Sequence, residues 1–342
     1  MHRKSHHQIV VVTGAGAGVG RAVAEAFARA GYDVALLSRE PERLARAAAQ
    51  LQAAYRGVRA LAVPTDVADA RAVEAAAARV ERELGDIDVW VNVAMATIFA
   101  PLSSISPRDF ERATQVTYLG QVHGTMAALA RMRKRNRGAI VNVGSALASR
   151  AIPLQSAYCG AKFAVRGFTD AVRSELIHDG LDVHISLVDL PAINTPQFDW
   201  AANRTGQDAR PVAPVYEPEV AARAILFAAQ HRRRTLWLGW STVRAIIADL
   251  IAPGLLDRYL ARAGYRGQLT GHPRAPDAPE NLHAPVPGEI GAHGRFDREA
   301  HNGCAPLFTE RHVHALMGGV AIGVLGLAMA FAHLHRQARS RP

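Results

Sequence analysis

The feature that most constrains the fold is an alternation, sustained to about residue 240, of short apolar runs with longer amphipathic stretches. The runs are 9–12, 33–38, 59–64, 89–94, 139–144, 183–189 and 235–240. They are rich in Val, Ile and Leu without strict alternation, the pattern of strands buried on both faces of a parallel sheet. Helical patterns lie between them at 21–30, 41–55, 70–84, 107–133, 158–178 and 218–230. Strand, helix, strand at this spacing predicts a doubly wound α/β fold, with ligands held at the carboxyl ends of the strands. With 49% hydrophobic residues in 342, the chain has enough apolar surface to bury such a core.

After Trp240 the pattern stops, and four segments are expected. Residues 1–240 form the α/β body and 241–264 an amphipathic helical extension, broken at Pro253-Gly254. That extension either packs on the body near the substrate opening or lies in a membrane interface. Residues 265–312, rich in Pro, Gly, His and charge, read as an irregular linker. Residues 315–334 carry the uncharged run ALMGGVAIGVLGLAMAFA. At about 1.5 Å per residue this run just spans a hydrocarbon layer of about 30 Å. It is expected to be a tail anchor in a lipid bilayer, leaving the α/β body in the cytoplasm; a buried terminal helix or an oligomerisation helix are the alternatives.

The loop from Thr13 to Gly20, TGAGAGVG, follows the first strand and opens a helix, the context of a dinucleotide site. No frame of it gives G-x-G-x-x-G. Gly14 suits a sharp turn, Gly18 a close approach to a pyrophosphate and Gly20 the packing of helix on sheet, with the helix amino end facing the phosphates. The second strand ends in Ser38 and Arg39. A ribose 2′-hydroxyl calls for a carboxylate there and a 2′-phosphate for a cation, so NADP(H) is expected rather than NAD(H).

Tyr158 and Lys162 share a helical face at i and i+4, and Ser145 ends an apolar strand thirteen residues before the tyrosine. A lysine cation stabilises a phenolate. The tyrosine can thereby exchange a proton with a carbonyl or alcohol oxygen that the serine holds.

Together the loop, the strand order and Ser145–Tyr158–Lys162 resemble the short-chain dehydrogenase/reductase family over roughly residues 8–240. The resemblance implies a Rossmann fold, hydride transfer between nicotinamide and a carbonyl or alcohol, and a homodimer or homotetramer formed through the 107–133 and 158–178 helices. It also implies that Thr13, Gly14, Gly16, Gly18, Val19 and Gly20 meet the cofactor, that Asp66 and Val67 bracket the adenine, and that Asn92 and Ala94 lie near the adenosine ribose. Pro191 and Thr195 then stand at the carboxamide, and Lys162 reaches the nicotinamide ribose. Three positions depart from the family pattern: Met95 and Ala192 each replace a glycine, and Thr117 stands where a catalytic asparagine holds a relay water.

The approaches to the site look apolar (Ala146, Leu147, Ile152, Leu154, Ile193, Phe198, Trp200), with Arg150 the cation at hand. With the expected anchor, this suggests a lipophilic aldehyde or ketone. A non-catalytic NADP(H)-binding sensor or scaffold and a membrane adaptor are the competing functions. The formal charge of +10 does not point to nucleic acid, because the basic run 131–137 holds no aromatic to stack a base. Nor is a metal site expected, the histidines being irregularly spaced.

Overall fold

The computed structural model describes residues 7–303 and 307–309, together with 312, 315, 318, 319 and 329. The apolar runs form β1 (Ile9–Thr13), β2 (Asp33–Ser38), β3 (Ala60–Pro64), β4 (Ile87–Asn92), β5 (Gly138–Val143), β6 (Val183–Asp189) and β7 (Thr235–Leu238). A late strand, β8 (Leu307–Thr309), completes an eight-stranded sheet of order 8-7-6-5-4-1-2-3. Every pairing in it is parallel except β7 with β8. The order reverses between β1 and β4, so a crevice opens there at the carboxyl edge.

The helices are α1 (Gly18–Arg29), α2 (Pro41–Ala54), α3 (Ala70–Glu83), α4 (Pro107–Thr114), α5 (Gly120–Arg135), α6 (Ser156–His178), α7 (Pro218–Gln230), α8 (Gly239–Ile251) and α9 (Pro253–Gln268). Their apolar stripes make two cores. One packs α1, α2 and α7 on one face of the sheet, through Phe27, Leu44 and Ile225. The other packs α3, α4, α5 and α6 on the opposite face, around Trp90, Met132 and Leu176. Side-chain caps set several starts: Glu40 accepts from the amides of Glu42 and Arg43 at α2, and Asp69 from Arg71 and Ala72 at α3.

Three expectations change. The helix expected over 107–133 is interrupted by a π-helical turn, Gln115–Leu119, which contains Thr117. The last expected strand stops at Leu238, because Gly239 adopts φ +77° and turns the chain into α8. The stretch from 269 to 303 has few regular elements but is no free linker. It folds back over the crevice, and its short strands Leu269–Pro273 and Ala300–His301 pair with Gln207–Ala209 and Val215–Tyr216. The apolar segment expected to cross a membrane lies almost wholly outside the described residues; among those described, no helix is long and apolar enough to do so.

Candidate active site

The crevice is a continuous cleft of about 480 Å³ that runs from the glycine loop to α8 and α9. Gly14 (φ +71°) and Gly18 (φ +56°) take left-handed conformations that side chains resist. A Cβ on Gly16 would stand 2.7 Å from the Ser38 hydroxyl, and one on Gly20 only 2.2 Å from the Gly14 carbonyl. The loop is therefore a cradle of bare backbone at the amino end of α1. Gly14, Gly16, Gly18, Val19 and Gly20 all line the cleft. Thr13 does not: it is buried, and its hydroxyl accepts from the amides of Val93 (3.0 Å) and Ala94 (3.2 Å), pinning β1 to the end of β4.

At the far end of the cradle stand Ser38, Arg39 and a second guanidinium, Arg43, in the first turn of α2. Both arginines already have acceptors. Arg39 donates to the carbonyls of Leu282 (3.3 Å) and Asn281, and Arg43 to those of Gly288 (3.2 Å) and Val286. The Gly18 amide donates to the carbonyl of Gly291 at 3.1 Å. Segment 281–291 is thus a strap whose carbonyls occupy the donors that an anionic ligand would claim. Burial lowers the pKa of both arginines, without threatening the charge of either. The place of Arg43, one helical turn after Arg39, is a signal visible in the sequence; the strap has none. Asp66 and Val67 form a wall here, with Asp66 paired to Arg112 at 2.5 Å.

At the other end, the carboxyl ends of β5 and β6 and the first turns of α6 bring Ser145, Tyr158 and Lys162 together. The Ser145 hydroxyl bonds the Tyr158 phenol and also accepts from the Leu147 amide at 3.1 Å. Lys162 is 1% exposed; its Nζ donates to the Val143 carbonyl at 2.7 Å and lies 5.6 Å from the Tyr158 ring centroid. Burial moves both groups toward their neutral forms. It raises the Tyr158 phenol well above its ordinary value and lowers Lys162 to about 8, against which nearby Asp189 acts.

Asp189, the last residue of β6, was not foreseen as a site residue, although an acid closing an apolar strand at the ligand-binding edge was a visible signal. It is buried, accepts from the Ser145 amide at 3.1 Å, and turns its other oxygen toward the Trp237 indole without completing a hydrogen bond. Burial raises its carboxyl to about 7. A Cβ on Gly144 would strike its Oδ1 at 2.0 Å, so that glycine is what admits the acid behind Ser145.

Besides Thr13, two expected site residues face away from the cleft. The Thr117 hydroxyl donates to the Ala96 carbonyl (2.7 Å) and accepts from the Ala96 amide (2.9 Å), so a relay water finds no free proton on it. One turn on, Gln121 donates to the same Val143 carbonyl as Lys162, at 3.0 Å, while its buried Oε1 has no partner. Asn92 is fully buried between Trp90, Thr125 and Asn142, where it ties β4 to β5 rather than meeting a ribose. Ala94, Met95, Pro191, Ala192 and Thr195 do line the cleft.

Beyond Tyr158 the walls are Leu147, Ile152, Ile193, Val212, Leu256 and Leu260. Phe198 and Trp200 line the cleft as expected, while Leu154 is buried behind it. Arg150 is not free to grip an acid, because it bonds Asp249 (2.8 Å) and Asp257 (2.5 Å) and so staples α8 and α9 to the rim.

Residues 8–204 match the family model described as short chain dehydrogenase. An uncharacterised oxidoreductase of Bacillus subtilis, YxnA, is 31% identical over 295 residues, covering 86% of this chain and 82% of its own. The D-threitol dehydrogenase of Mycolicibacterium smegmatis is 32% identical, over 65% of this chain and 85% of its own. Among solved structures, an alcohol dehydrogenase of Thermococcus sibiricus complexed with 5-hydroxy-NADP superposes with a TM-score of 0.59 at 28% identity, over 68% of this chain and 96% of its own.

Proposed function

Because the chain belongs to the short-chain dehydrogenase family, we propose that it is an NADP(H)-dependent carbonyl reductase or alcohol dehydrogenase acting on a lipophilic substrate. The observation that carries this reading is one cleft with Ser145, Tyr158 and Lys162 at one end and Arg39 and Arg43 beside the glycine cradle at the other. The residues fit a dinucleotide: the cradle is bare backbone where phosphates need amides, and the paired guanidiniums suit a 2′-phosphate.

When bound, the nicotinamide supplies or accepts the hydride. In reduction, Ser145 and Tyr158 hold the carbonyl oxygen, and Tyr158 gives it a proton as the C=O π electrons move onto that oxygen. Burial raises the phenol above its ordinary value, so Tyr158 is protonated at neutral pH, the form that gives the proton in reduction. Lys162 then stabilises the phenolate. With the Thr117 hydroxyl committed to Ala96, the unpartnered Gln121 Oε1, whose amide shares the Val143 carbonyl with Lys162, would be the acceptor for a water that resupplies protons to Lys162.

The apolar walls beyond Tyr158 support a lipophilic substrate. Attachment through 315–332 remains part of this proposal, as does self-association through α5 and α6, whose Met126, Phe163 and Ile177 are exposed. A non-catalytic sensor is the second reading, favoured by the strap over Arg39 and Arg43. NADPH and NADH consumption by the full chain, against aldehydes and ketones of increasing chain length with D-threitol for comparison, separates the readings. NADPH-dependent turnover that rises with chain length supports the proposal; binding of NADPH without turnover of any compound supports the sensor.

A further inference from the structure

α8 and α9 form the wall between the substrate end of the cleft and the protein surface: Leu256 and Leu260 face inward. Their outer faces are unusual. On α9, Leu255, Arg258, Tyr259, Arg262, Tyr265 and Arg266 fall within an arc of about 120°, taking 100° per residue. Leu255 (67%) and Tyr259 (63%) are largely exposed. On α8, Trp240, Arg244 and Ile251 share one outer line, with Ile251 68% exposed. Two nearby helices therefore show solvent a mixture of arginine, aromatic and aliphatic side chains.

The charges are sorted by side. Both acids of the pair, Asp249 and Asp257, turn to Arg150 at the cleft rim. All four arginines, Arg244, Arg258, Arg262 and Arg266, turn outward, and among the described residues none has a carboxylate partner. Arginines elsewhere are commonly paired, as at Arg59–Asp33, Arg131–Glu74 and Arg173–Asp170. A solvated helix face gains nothing from unpaired cations set among exposed Trp, Leu, Ile and Tyr. Such a face does match an anionic lipid surface: apolar and aromatic groups enter the headgroup boundary, and guanidiniums meet lipid phosphates. Phe308 of β8 packs on Trp240 at a centroid distance of 4.5 Å, so an aromatic pair edges this face.

We propose that the outer face of α8 and α9 docks on an anionic phospholipid bilayer, with the substrate end of the cleft opening beside it. The docking surface stands on its own observations; the delivery of a lipophilic substrate through it rests on the reductase reading above.

The test uses the full chain with Cys304→Ser and Leu255→Cys, labelled at residue 255 with an environment-sensitive fluorophore; the remaining Cys159 is buried. Vesicles of phosphatidylcholine and phosphatidylglycerol in equal parts are compared with phosphatidylcholine alone. The expected result is a blue shift of the label with the anionic vesicles, quenching by lipids brominated near the headgroup, and loss of that shift in Arg258→Gln/Arg262→Gln/Arg266→Gln. A label already shifted without lipid means that another part of this chain or a second copy covers the face. A chain that floats with vesicles while the label stays in water is held by its tail alone. A shift equal on both vesicles and indifferent to the triple substitution removes the charge argument. Each of these three results overturns the proposal. NADPH consumption with a water-soluble aldehyde, measured on the same variants, reports separately on the reductase reading, because the substituted arginines lie on the opposite face of α9 from the cleft.

Discussion

Arg39→Met probes cofactor choice and the strap together. In the free protein Arg39 gives two hydrogen bonds to neutral carbonyls, those of Asn281 and Leu282. A 2′-phosphate replacing those carbonyls converts two neutral acceptors into charged ones, a gain of about 1 kcal/mol for each bond. The net preference that Arg39 confers on NADPH is therefore about 2 kcal/mol, or about 30-fold in Kd. NADH brings no phosphate and recovers nothing for the lost carbonyl bonds, so removing Arg39 loosens the strap and leaves NADH binding unchanged or slightly tighter. Fluorescence titration of both nucleotides against both proteins measures the four constants needed. An equal loss for NADPH and NADH would mean that Arg39 acts only through the fold. No loss for either would remove the phosphate role altogether.

Asp189→Asn tests the buried carboxyl. With its pKa raised from 3.8 to about 7, the native state holds this proton where the unfolded state has released it. Stability from this group is therefore full at low pH and is lost as pH rises through 7, by about 2–3 kcal/mol between about pH 5 and 8. Thermal unfolding of Asp189→Asn across that range shows a flatter profile than the parent; parallel profiles would contradict the assignment. Thr117→Val and Gln121→Leu separate structure from proton resupply. The first removes two hydrogen bonds to Ala96 and lowers stability by about 1–2 kcal/mol with kcat little changed. The second lowers kcat about 10-fold and shifts its pH profile, with KM for NADPH unchanged; the reverse pattern would return the relay to Thr117.

The body of the fold was legible because the central strands are buried on both faces and so read as unbroken apolar runs; β1, all five of whose residues are buried, is the plainest case. The reactive group was legible for a different reason: helical spacing alone puts Tyr158 beside Lys162, and the end of β5 puts Ser145 across from them. Legibility failed where residues act through partners distant in sequence. Thr117 looks like a free hydroxyl until the Ala96 backbone is placed against it, and Asn92 looks like a ligand until Asn142 takes its amide at 2.8 Å. The strap is the extreme case. Its contacts with Arg39, Arg43 and Gly18 are made by backbone carbonyls, which leave no mark on side-chain composition, and Pro, Gly and His between 265 and 302 read only as an irregular connection.

The central claim is that Tyr158 is the proton donor in a hydride transfer supported by NADPH. It is tested most directly by NADPH oxidation under single-turnover conditions in the full-length parent and in Tyr158→Phe, with a lipophilic aldehyde. The substitution keeps the ring and its packing and removes only the hydroxyl that Ser145 bonds. The account predicts that NADPH binds both proteins with similar affinity and that the rate falls by at least about 100-fold in the variant. A phenylalanine variant that turns over at the parent rate would contradict it.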